Sequence, residues 1–104
     1  MQQKMRLVPG QIVRSLAGHD KDSIFFVVGI VDDFSVLIAD GDRRRIETPK
    51  KKKAKHLQPY DRISAVIAEK IKTGSRIENI DLQRELDRSG AIELAISGSG
   101  GDES

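Results

Sequence analysis

Eight of the thirteen side chains from position 43 to position 55 are Lys or Arg, and Glu47 is the only acid among them. Arg43, Arg44 and Arg45 follow an Asp40-Gly41 dipeptide, while Lys50, Lys51, Lys52, Lys53 and Lys55 follow Pro49. Clustered cations of this kind suit a polyanion, because binding releases the counterions condensed along a phosphate backbone. Five phosphate contacts correspond to a slope of about −3.5 to −4.5 in log K against log salt. A solvated loop kept soluble by like charge is the plainer reading. Four consecutive lysines repel one another, so the segment is expected to be loose in the free chain and ordered by a bound polyanion.

Other chemistry is sparse. His19 and His56 are the only histidines, they lie far apart in sequence, and there is no cysteine. A metal centre is not expected, and a disulfide or thiolate site is excluded. No cofactor is implied. Asp32-Asp33 reads as a turn rather than a carboxylate pair, and no Ser/His/Asp set has a recognisable context, so no enzymatic activity is expected. Phe25, Phe26, Phe34 and Tyr60 are the only aromatics. With most of them expected in the core, base stacking on single strands is disfavoured against recognition of folded RNA by shape and backbone.

Charge divides the chain. Residues 1–60 hold 12 Lys/Arg against 7 Asp/Glu, a net of +5, and residues 61–104 hold 6 against 9, a net of −3. A basic ligand-facing module followed by an acidic appendage accounts for this asymmetry. No segment has the length and apolarity of a signal peptide or a membrane span. A soluble, cytoplasmic protein without a membrane partner is expected.

Short strands must carry the basic residues. Residues 11–16 read as a first strand. Residues 24–31 (IFFVVGIV) read as a second, β-branched and aromatic almost throughout. Residues 35–39 form a third, which Asp40-Gly41 would turn into a fourth over 42–47. A short fifth strand over 55–58 would end before Pro59. Five short strands joined by tight turns suggest a small barrel. The second strand is apolar on both faces, so something must cover its outside. Residues 61–73, with Ile63, Val66, Ile67 and Ile71 on one face and Asp61 as N-cap, read as a helix that could do so. A second helix over 81–89 carries Leu82 and Leu86, with Asn79 or Asp81 as its cap. Residues 91–96 are ambiguous between helix and strand. Residues 97–104 have the composition of a disordered tail.

Residues 10–28 (GQIVRSLAGHDKDSIFFVV) resemble the KOW motif of ribosomal proteins and of elongation factors of the NusG type. Gly10, Val13, Gly18, Asp20, Lys21 and Val27 occupy matching positions. Asp22 stands where the motif often has Gly, and Phe25 where it often has a second Gly. The latter shifts the similarity towards large-subunit ribosomal proteins of the archaeal and eukaryotic kind. Residues 36–41 (VLIADG), the arginines, Pro49 and residues 55–59 (KHLQP) are similar to the same group, so the resemblance covers about residues 8–60. It implies an SH3-like barrel whose loops and basic edge touch structured RNA, with Gly18, His19 and Lys21 presenting the first loop.

The expected fold is therefore mainly β with C-terminal helices: a five-stranded SH3-like (KOW) barrel over 1–60, a two-helix appendage over 61–96 packed on it, and a tail over 97–104. The expected RNA-binding set is Arg14, Gly18, His19, Lys21, Arg43, Arg44, Arg45, Lys50, Lys51, Lys52, Lys53 and Lys55. The expected partner is structured RNA, above all ribosomal RNA, in a ribosome-associated or assembly role. A protein-interaction module that meets ribosomal or transcription proteins is the alternative, and charge alone also allows duplex DNA.

Overall fold

The computed structural model describes residues 6–90. Five antiparallel strands form one sheet in the order β4-β3-β2-β1-β5: β1 (Gln11–Ser15), β2 (Ile24–Asp32), β3 (Ser35–Ala39), β4 (Lys50–Lys53) and β5 (Leu57–Ile63). Two helices follow, α1 (Ala65–Thr73) and α2 (Asn79–Arg88). The protein is mainly β, a small barrel-like sheet with two C-terminal helices.

Strand β2 explains the layering. Phe25 and Val27 point to one face, where they join Val13, Val36, Ile38 and Leu57 in the inner core. Phe26 points the other way, with Ile24 and Val28 beside it, and packs with Ile12, Ala39, Ile67 and Leu82. Alternation along a strand sends neighbouring side chains to opposite faces. A strand apolar on both faces must therefore be covered twice, and α1 and α2 supply the second cover. Ile67 and Leu82 are fully buried against it. Ile67 of α1 and Leu82 of α2 both lie in the cluster around Phe26.

Several boundaries differ from the expected ones. The chain after Asp40 does not return as a strand over 42–47. The Asp40 carboxylate accepts the amides of Asp42 and Arg44 at 3.0 and 2.8 Å, and the Arg44 carbonyl accepts those of Asp40 and Gly41. These local bonds wind residues 40–48 into a loop, the competition that short polar side chains offer to a β ladder. The partner of β3 is instead the lysine run, with Val36 opposite Lys52 and Leu37 opposite Lys51. The lysines expected to be loose thus form an edge strand.

Strand β5 runs through Pro59 to Ile63, because an edge strand tolerates the missing amide of proline. Helix α1 consequently starts later than expected, and its N-cap is Ser64 rather than Asp61. The Ser64 hydroxyl accepts the Ile67 amide and donates to Glu85 of α2 at 2.7 Å, joining the two helices. Ile63 and Val66, expected on the buried helix face, are exposed. Helix α2 is capped by Glu78 and Asp81, whose side chains each accept the other's backbone amide. The expectations for residues 91–96 and for the tail lie outside the described residues.

Candidate nucleic-acid interface

The loop between β1 and β2 is held from three directions. Within it, Lys21, Asp22 and Ser23 donate their amides to the carbonyls of Gly18, Ser15 and Asp20. Gly18 has φ +83° and Asp22 φ +72°. Asp22 thus takes a left-handed conformation, at the modest cost this conformation carries for Asp.

From one side comes Arg44. Its Nε and one terminal nitrogen both donate to Asp20 Oδ2, at 3.1 and 2.8 Å. The Asp20 side chain is 2% exposed and that of Arg44 31%. From a second side comes Lys52, which is buried and donates its Nζ to the Ala17 carbonyl at 2.9 Å. A Cβ on Gly18 would lie 3.3 Å from that Nζ, so the bare backbone at Gly18 leaves the ammonium its path. From a third side, the His56 carbonyl accepts the Leu16 amide at 2.8 Å.

These contacts sort the expected binding residues. His19 and Lys21 are exposed on the loop, beside exposed Gly18. Arg43, Arg45, Lys51, Lys53 and Lys55 are exposed, and Lys50 is half-buried. Lys51 and Lys53 share one face of β4, and Lys50 and Lys52 share the other, because alternate residues of a strand point the same way. Arg44 and Lys52 spend their charge on Asp20 and Ala17 and are structural ties. Arg14 is half-buried on β1 between Ile24 and Gln58, and its Nε is buried without a hydrogen-bond partner. Exposed Asp42 and Glu47 flank the arginines, and the Glu47 carboxylate lies 3.6 Å from Arg45 Nε.

Sequence reading missed the brace beneath this surface. Asn79, at the start of α2, accepts the Ile46 amide at 2.7 Å and donates to the Glu47 carboxylate at 2.9 Å. Gln83 donates to the Gly41 carbonyl at 2.7 Å. The Asn79 side-chain hydrogen bond is the main reason that the Glu47 carboxyl titrates below its usual range. A lowered pKa favours the charged, bonded form in the folded state. Its contribution is present above the unfolded pKa and is lost as pH falls through the folded one. Nothing local marked Asn79 for this role, since its partners lie 32 and 33 residues away.

The chain matches no protein-family model. It is 39% identical over 62 residues to the Bacillus subtilis protein named "Putative ribosome-binding protein YbzG", an alignment covering 60% of this chain and 84% of that one. The chain belongs to the YbzG family. The cation-bearing segments described here therefore sit in a YbzG-family protein that is mainly β.

Proposed function

We propose that this chain is a ribosome-associated protein that binds structured ribosomal RNA through its exposed cations, without catalytic activity, in the cytoplasm. One observation carries the reading: three basic segments meet at the β1–β2 loop. Arg44 brings residues 43–45 to it, Lys52 brings β4, and the His56 carbonyl brings residues 55–56. Exposed Lys21, Arg43, Arg45, Lys51, Lys53 and Lys55 are thereby borne by segments anchored to a common loop. Spacing several cations on a rigid frame suits a folded polyanion, whose phosphates are also fixed in space. The left-handed Asp22 and bare Gly18 fit a KOW-type loop, in which the backbone approaches the RNA. The relative YbzG is named for ribosome binding, which supports the same partner.

A second reading rests on the β2–β3 hairpin. Ile30, Val31 and Phe34 are 47, 43 and 40% exposed at its tip. Apolar side chains gathered at a protruding tip suit contact with a protein. On this reading the chain docks on a ribosomal or transcription protein.

Crosslinking in cells, followed by sequencing of the attached RNA and mapping of the attached peptide, separates the two. Ribosomal RNA joined to peptides containing Lys21 or residues 51–55 is the expected result. Crosslinks confined to proteins through residues 30–34, with no RNA recovered, would favour the second reading.

A further inference from the structure

The β1–β2 loop contains one buried carboxylate, Asp20, and one of its oxygens takes two donors from Arg44. We propose that Asp20 is a positioning residue: a buried counter-charge that fixes His19 and Lys21 for phosphate contact by holding Arg44 against the loop. The proposal rests on the RNA reading above and adds how that surface is set.

The observations are independent of one another. Asp20 is 2% exposed although its neighbours His19, Lys21 and Asp22 are all exposed. One of its oxygens receives both Arg44 donors, and its carbonyl accepts the Ser23 amide. The Arg44 segment is itself held from behind by Asn79 and Gln83, so the ion pair links the loop to a braced element. Lys52 secures the opposite end of the loop at Ala17.

Without the Asp20 carboxylate, the Arg44 guanidinium would lose its ion-pair partner at the loop, and Asp22, the other acid there, is exposed. The tie between residues 43–45 and the loop would then be lost. A buried ion pair adds little net stability against an apolar substitute, but removing one partner leaves the other charge uncompensated. Geometry is accordingly what this pair supplies.

Charge counting and positioning predict opposite results for Asp20→Asn. The variant gains one unit of positive charge and releases a guanidinium. If cations act by number alone, affinity for a labelled A-form RNA hairpin rises and the salt slope steepens. Positioning predicts the reverse: affinity falls about tenfold, and the slope flattens by about 0.7–0.9 as the Lys21 contact is lost. The double variant Asp20→Asn with Arg44→Gln restores a neutral hydrogen bond at unchanged net charge. It should return to within about threefold of the parent protein.

Amide hydrogen exchange supplies a second readout that needs no RNA. Protection of Lys21, Asp22 and Ser23 should drop in Asp20→Asn and recover in the double variant, while β2 stays protected. If Asp20→Asn does not fold, Arg44→Gln puts the question from the other end, with the same loss of loop protection expected. Unchanged loop protection in a folded variant, or tighter RNA binding by Asp20→Asn, would overturn the proposal. Failure of the parent protein to bind RNA would sink the RNA reading and leave the exchange result to decide the positioning claim.

Discussion

Replacing Arg43, Arg45, Lys51, Lys53 and Lys55 together by Gln should weaken binding to structured RNA by about 100-fold or more near 0.1 M salt, with the fold intact. All five are exposed, and the only salt bridge among the described residues that involves any of them is the long one from Arg45 to Glu47. Surface pairs of that kind contribute roughly 0–1 kcal/mol, so removing these charges should leave stability almost unchanged. Each charge that meets a phosphate contributes to counterion release, and five such contacts make binding steeply salt-dependent. Lys72 and Arg84 provide the comparison, since they are exposed on the helices. Their replacement by Gln should change affinity by no more than about twofold. Fluorescence anisotropy with a labelled A-form hairpin reads both variants. Equal losses per charge removed would mean that net charge, rather than the placement of the cations, governs binding.

The second large effect is on the fold. Gly41→Ala should destabilise the protein by about 2–6 kcal/mol. Gly41 has φ +84°, and a Cβ there would lie 2.3 Å from the Asn79 carbonyl oxygen and 3.1 Å from Leu82 Cβ. The left-handed conformation costs a non-Gly residue roughly 1–3 kcal/mol. Overpacking against the start of α2 adds roughly 1–3 kcal/mol more. Gly74, which ends α1, isolates the first contribution: its φ is +73°, and a Cβ would meet nothing within 4 Å. Gly74→Ala should therefore cost clearly less. Urea titrations of the two variants read the difference. Equal losses would show that α2 gives way at no cost and does not clamp the basic loop.

The legible and illegible parts of this fold differ in range. The double apolar pattern of residues 24–31 required a cover on each side of β2, and α1 and α2 lie where that argument put one. The left-handed residue at Asp22 was also readable, because Asp in a short polar turn tolerates that conformation better than a branched residue does. Strand β4 was not. Consecutive lysines have no strand periodicity, and their like charge argues for a loose segment. What makes Lys52 a buried strand residue is the Ala17 carbonyl, 35 positions away. The Asp40-Gly41 hairpin signal misled for a related reason. It ignores the second amide that the Asp40 carboxylate binds, at Arg44, and the helix that packs on Gly41. The same distance problem hid the division of labour among the cations. Arg44 and Arg45 are indistinguishable by type and differ only in which one reaches Asp20, 24 positions from Arg44.

If anchored surface cations meet a folded polyanion, the salt dependence of binding measures that directly. Titrating the parent protein against a labelled A-form RNA hairpin should give a slope of about −3.5 to −4.5 in log K against log salt, a loss of roughly 100- to 500-fold for a fourfold rise in salt. A slope near zero, or no binding at low salt, would contradict it.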